Sequence, residues 1–245
     1  MIFVLAATKN FYQYLPINIF NIIRTNECGK IYIFIEDDKL NLPFSKIDIQ
    51  YINMHKIGLD KNGANYNTNF SIASLCRLYI PQIIPEEKII YCDIDTLVIG
   101  NLRQWWDTDM SDYYVSGVAD KGILDYKDYV NKFLNPDSYI NAGVILMNLK
   151  KIREENQCEK LVEFINKNRL AFPDQDAINF VLGDKVLLVD SKFNAGQATS
   201  IPHSFLVFHW AGLKQNWVYD REFGYLWMNA ERAFISMFAQ PINKD

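Results

Sequence analysis

Two acids one residue apart, Asp93 and Asp95, follow directly on the apolar run Ile89, Ile90, Tyr91 and Cys92, and a second apolar run, Leu97 to Ile99, comes after them. Buried, β-prone runs seldom hold charges that lack partners. In an extended segment residues i and i+2 lie on one side of the chain, about 6.5 Å apart. Two carboxylates at that distance repel by about 2–3 kcal/mol at an effective dielectric near 20. Either one of them takes up a proton, or a divalent cation with a preference for oxygen removes the conflict. Asp93, Ile94 and Asp95 therefore read as a metal clamp at a strand end. The plainer alternative is a polar turn between two strands, where Asp is common.

The elements around the clamp suggest how it is held. Ile2 to Ala6 reads as a buried first strand, with Ala7 to Asn10 as its turn. Phe11 to about Thr25 has helical spacing with Pro16 early in it, and Cys28, Gly29 and Lys30 read as its end. Ile31 to Ile35 and Lys46 to Ile52 read as strands, 53–69 as a long polar loop, Ser71 to Ile80 as a helix with Pro81 and Pro85 at its exit, and Lys88 to Cys92 as the strand that carries the clamp. This order predicts an α/β sheet, largely parallel, with helices on both faces. In such sheets ligands gather at the carboxyl ends of strands, near the switch in strand order. The turn at Ala7 and the clamp both fall at such ends.

Further along, Tyr113 to Ala119 reads as a strand and 120–137 as a polar, aromatic-bearing insertion. Tyr139 to Asn148 reads as a strand interrupted at Asn141, Ala142 and Gly143, the glycine marking a close approach. Lys150 to Asn168 and Ala177 to Leu182 read as helices, the latter opened by Pro173, Asp174, Gln175 and Asp176. Acids in a first helical turn cap the end and answer the dipole. Val186 to Val189 and Phe205 to Phe208 read as strands, 209–217 as a compact loop, and Arg221 to Phe238 as a helix whose aromatic residues face the core.

With 245 residues, the chain reads as one domain spanning 1–245. A net charge of −4 gives no basis for a nucleic-acid partner held by bulk charge. Cys28, Cys76, Cys92 and Cys158 have no metal-motif spacing and read as reduced thiols of a cytoplasmic protein. No apolar run approaches the roughly 18 residues of a membrane helix, which leaves peripheral contact with the inner face of a membrane open.

Five separated segments, in order, resemble glycosyltransferase family 8: Ala6 to Asn10, Tyr91 to Asp95, Asn141 to Val144, Pro173 to Asp176, and His209 to Lys214. The resemblance covers nearly the whole chain. It implies a GT-A fold, Rossmann-like, with a nucleotide-binding half of about 1–100 and an acceptor-side half of about 101–245. It also implies a UDP-glucose or UDP-galactose donor, manganese with magnesium as the substitute, and retention of anomeric configuration. By matching position, Asp93, Asp95 and His209 would hold the metal. Ala6, Ala7, Thr8 and Asn10 would surround the nucleoside, and Ile94 would lie with the clamp beside it. Arg77, Asn141, Ala142, Asp174 and Gln175 would line the sugar pocket, with Arg77, Asp174 and Gln175 nearest the chemistry. Gly212 and Lys214 would meet the diphosphate. The acceptor would be a saccharide, a lipid-linked glycan or a glycoprotein.

Each residue also has a simpler role: His209 as a hydrogen-bonded core histidine, Asp174 as a helix cap, Arg77 as an ordinary ion-pair partner. Two rival functions stand beside the transferase. Asp93 and Asp174 could be the paired carboxylates of a glycoside hydrolase, or the chain could bind a nucleotide sugar without catalysis.

Overall fold

The computed structural model of the chain describes residues 1–66, 71–132, 136–212 and 217–238. Seven strands form the main sheet: β1 (Ile2–Ala6), β2 (Lys30–Ile35), β3 (Asp48–Asn53), β4 (Lys88–Asp93), β6 (Val115–Ala119), β7 (Ile140–Asn148) and β8 (Val186–Leu188), in the order β3-β2-β1-β4-β7-β6-β8. Strands β1 to β4 run parallel to one another, β7 is antiparallel to both its neighbours, and β6 and β8 run with the first four. The sheet is thus mostly parallel, as expected. The order turns back between β1 and β4, whose ends meet in register at Ala6 and Asp93, so the clamp lies at a topological switch point.

Helices cover both faces. Phe3 and Leu5 of β1 pack with Ile33, Ile90 and Val144 against α1 (Leu15–Thr25) and Trp105 of α4 (Arg103–Trp106). The alternate residues Val4 and Ala6 point the other way, with Phe34, Tyr91 and Ile145. They meet α2 (Ile72–Cys76), α3 (Ile80–Ile83), α6 (Leu149–Glu154), α7 (Gln157–Lys167) and α8 (Pro173–Leu182). Burial on both faces is why these strands read as unbroken apolar runs rather than alternating ones.

A second, three-stranded sheet consists of β5 (Thr96–Val98), β10 (Val207–His209) and β9 (Ala195–Gly196); the expected strand at Phe205 to Phe208 is its β10, shifted by one or two residues, and the sheet itself was not anticipated. It supports an aromatic cluster of Phe208, Trp210, Trp217 and Trp227, the last from α9 (Gly224–Phe238). In α9 Trp227 is buried and Phe234 partly so, as is Phe223 just before the helix, whereas Tyr225 and Phe238 are exposed, so only part of the expected aromatic core face exists. No described helix is long and apolar enough to cross a membrane.

Several local boundaries differ from expectation, and Phe11 to Tyr14 form a 3-10 turn ahead of α1 rather than its first turns. The first helix ends at Asn26, whose extended backbone stops it, so Gly29 is not a cap. The helix after Ser71 is broken into α2, a 3-10 turn at Arg77–Tyr79 and α3, with Pro81 inside the first turn of α3 rather than at an exit. Strand β7 is continuous through Gly143. The segment 150–168 is two helices, parted at Asn156 with φ of 55°. The clamp is not extended throughout: Asp93 ends β4, Ile94 and Asp95 make a turn, and β5 leads into the second sheet.

Candidate active site

Three elements hold the turn of the clamp. The Thr96 hydroxyl donates to the Asp93 carbonyl at 2.7 Å, the Trp210 N–H to the Asp95 carbonyl at 3.0 Å, and the Asn18 amide to the Ile94 carbonyl at 2.9 Å. Because β5 and β10 pair with Thr96 opposite His209, the imidazole is carried to the two acids. One ligand atom each from Asp93, Asp95 and His209 lies within 4.8 Å of the others, and His209 Nε2 is 3.4 Å from Asp95 Oδ1.

The backbone permits this convergence at Gly143. A Cβ there would lie 2.2 Å from His209 Cε1 and 2.8 Å from Asp93 Oδ2. The glycine was expected to admit a ligand or backbone; what approaches it is the side chains of His209 and Asp93. His209 Nδ1 lies 3.1 Å from Asn194 Oδ1, and Asn194 Nδ2 in turn donates to Asn141 Oδ1 at 2.9 Å. An amide oxygen only accepts, so the proton belongs on Nδ1 and the Nε2 lone pair is left for a cation. Burial resists protonation of His209, but the charges of Asp95 and Asp93 outweigh it and hold its pKa above the ordinary 6.5.

Arg77, from the 3-10 turn between α2 and α3, is buried in the same place. Its Nη2 is 2.6 Å from Asp93 Oδ1, its Nε is 3.0 Å from Asp174 Oδ2, and its Nη1 donates to the Ala142 carbonyl. The guanidinium also lies 4.6 Å from the centre of the Tyr91 ring, and the Tyr91 hydroxyl donates to Asp93 at 2.8 Å. Three carboxylates and one guanidinium, with His209 in the neutral form that ligation of a metal requires, sum to a formal charge of −2. A divalent cation matches that charge, and two carboxylates plus one imidazole are a donor set suited to manganese.

Asp174 lies in the first turn of α8, whose cap position is Phe172. Its carboxylate goes to Arg77, and burial pushes its pKa up against the pull of that arginine. Residues Gln175 and Asn179, one helical turn apart on α8, have a different task. Strand β4 pairs with β7 only as far as Cys92 and Val144. Beyond that point Ile140 and Ala142 have no strand on the β4 side, and side chains take its place. Asn179 accepts from Ile140 N–H at 2.7 Å and donates to its carbonyl at 2.9 Å. Gln175 Oε1 accepts from Ala142 N–H at 3.0 Å, while Gln175 Nε2 donates to Asp120 Oδ2 at 2.9 Å. Asp120 also accepts from Asn141 at 3.0 Å.

Two small cavities meet at the clamp. One, about 160 Å³, is lined by Ala6, Ala7, Thr8, Ser74 and Ile94, and by Phe11 and Trp217, whose rings are parallel at 5.8 Å. The other, about 200 Å³, is lined by Arg77, Asn141, Gly143, Phe172, Asp174, Gln175, His209 and Gly212. Asp93 and Asp95 line both. Ala142 is buried and takes part through its backbone. Asn10 is exposed and lines neither cavity. Gly212, at φ of 84°, turns the loop at the edge of the second cavity. Lys214 lies outside the described residues. Asn194, Asp120, Phe11, Phe172 and Trp217 were not anticipated as site residues. A polar Asn194 between Phe193 and Ala195 is the one local signal among them.

The model of Glycosyl transferase family 8 matches residues 4–219. A Haemophilus influenzae protein provisionally named a glycosyltransferase is 30% identical over 207 residues, which cover 78% of this chain and 62% of that protein. The lipopolysaccharide 1,3-galactosyltransferase of Salmonella typhimurium is 26% identical over 51% of this chain and 40% of its own length. The chain thus spans between two-fifths and two-thirds of the length of these relatives. The crystal structure of the galactosyltransferase LgtC with donor and acceptor sugar analogues superposes with a TM-score of 0.72 at 24% identity, covering 97% of this chain and 95% of that one.

Proposed function

This chain belongs to glycosyltransferase family 8 and has its GT-A fold, and we propose that it moves glucose or galactose from a UDP-sugar to a saccharide or glycoconjugate acceptor, with manganese and with retention of configuration. The setting that fits is the assembly of a bacterial surface glycan or glycoprotein. One observation carries this reading: the clamp lies at the junction of two cavities, one suited to a nucleoside and one to a sugar. A diphosphate joining the two would pass over Asp93, Asp95 and His209.

Those three residues would hold Mn2+, with Mg2+ as the substitute. When bound, the ion supplies Lewis-acid stabilisation of the charge on the departing diphosphate. Arg77 orients Asp93 toward the ion and Asp174 toward the sugar, because one guanidinium holds both carboxylates. Asp174 and Asn141 would hold sugar hydroxyls. Gln175 has both ends of its amide engaged, which disfavours it as a nucleophile. The acceptor hydroxyl would therefore attack from the face that UDP leaves, the C–O bond to UDP breaking as the new glycosidic bond forms. The acceptor proton would pass to an oxygen of the departing β-phosphate. A paired-carboxylate hydrolase fits less well, since Asp93 and Asp174 share one arginine and neither stands free as a proton donor.

The test is UDP release from a panel of nucleotide sugars with manganese present. The expected result is release from one UDP-hexose, abolished by a chelator and lowered by about 10²-fold or more in Asp95→Ala. Activity indifferent to chelator would sink the metal role. Sugar release from a glycoside without any nucleotide would favour the hydrolase, and tight UDP binding without turnover would favour a binding protein.

A further inference from the structure

We infer that Tyr126 and Phe172 form an aromatic platform for a pyranose ring of the acceptor; this rests on the transferase reading above. Phe172 lines the sugar-side cavity beside Asp174 and Gln175. The Tyr126 ring meets it at 5.1 Å with an interplanar angle of 87°. Two rings at right angles form a corner that begins in the cavity and opens to solvent, where Tyr126 is 51% exposed and its neighbour Leu124 is 46% exposed. Single exposed aromatic residues are ordinary. This one is continuous with the cleft wall.

The direction of approach also points here. The cavity at Ala6 to Thr8 is bordered by Phe11 and Trp217, and Phe172 borders only the cavity on the other side of the clamp. With a nucleoside there and a hexose beyond the clamp, an acceptor would reach the anomeric carbon from the side that Phe172 borders. A pyranose presents an apolar C–H face as well as hydroxyls, and aromatic rings take such a face.

The platform is held in place. Its segment is anchored by buried Ile123 and Val130 against Tyr139, and by Lys121 N–H donating to the Ala198 carbonyl at 2.7 Å. At the head of that segment Asp120 binds Gln175 and Asn141. Phe172 N–H donates to Asp176 Oδ2 at 2.8 Å. The platform is therefore tied to the groups around the reacting centre.

The experiment is retention of the protein, with UDP and manganese, on an array of immobilised pyranosides, alongside calorimetry of UDP binding. Wild type should retain a defined set of pyranosides. Tyr126→Ala should weaken that retention by about tenfold or more, and Tyr126→Phe should keep it within about twofold, because the ring and not the hydroxyl makes the contact. UDP affinity should be the same in all three. Phe172→Leu should repeat the loss and guards against a folding defect in the first variant. Unchanged retention in Tyr126→Ala, equal loss in Tyr126→Phe, or UDP binding with no pyranoside retained by wild type would each overturn the platform and leave the transferase reading standing. A wild type that binds neither UDP nor any pyranoside would remove both.

Discussion

Gly143 sets how closely the acids and the imidazole converge. Any side chain there would enter the space already held by His209 and Asp93. Gly143→Ala is therefore expected to fold with a loss of about 1–3 kcal/mol from overpacking. The displaced ligands should also lower manganese affinity by about 10–100-fold, the range for a disturbed supporting contact. Titration calorimetry with Mn2+ beside a thermal melt separates the two effects. Manganese affinity equal to that of wild type would mean that the three side chains are not ligands to one ion. Arg77 matters at the same scale because its single charge partly offsets those of Asp93 and the buried Asp174.

At the scale of elements, α8 stands in for a missing strand. Where β4 has ended, Asn179 and Gln175 satisfy Ile140 and Ala142 of β7. The side chain of Asn179 also donates to the Gln175 carbonyl at 2.8 Å, so the helix turn and the strand edge are tied by one fully buried amide. Removing it leaves buried backbone groups without partners, at about 1–3 kcal/mol each. Asn179→Ala should therefore lose about 2–4 kcal/mol in urea unfolding. A loss below about 1 kcal/mol would show that water or a shifted Gln175 replaces the amide. The Asp176 carboxylate supports the same helix start. It accepts from the Tyr139 and Tyr129 hydroxyls at 2.6 and 2.8 Å, and burial still pushes its pKa up.

At the scale of the molecule, the nucleoside side of the cleft depends on the second sheet and the last helix. Trp227 of α9 packs edge-on to Trp217 at 6.0 Å and to Tyr14 at 5.5 Å, just ahead of α1. Trp217 in turn stacks on Phe11 and lines the cavity with it. Trp227→Ala should cost about 3–5 kcal/mol. It should also weaken UDP binding, measured by calorimetry well below the unfolding midpoint, because the wall behind Trp217 is gone. Unchanged UDP affinity in a destabilised but folded variant would place the nucleoside elsewhere.

Much of this was legible in the chain itself. Hydrophobic patterning is a local property, so the runs at β1, β2, β4 and β7 read as strands buried on both faces, and their order implied a mostly parallel sheet. Two acids at the end of such a run already posed a charge conflict, whatever resolved it. The resolution was a matter of tertiary structure. Arg77 lies 16 residues from Asp93, His209 is brought to Asp95 by strands of three residues that show no period, and Asn194 acts only because Asn141 orients it. Charge compensation and hydrogen bonding depend on which groups meet in space, and pairs this distant in sequence leave no local pattern.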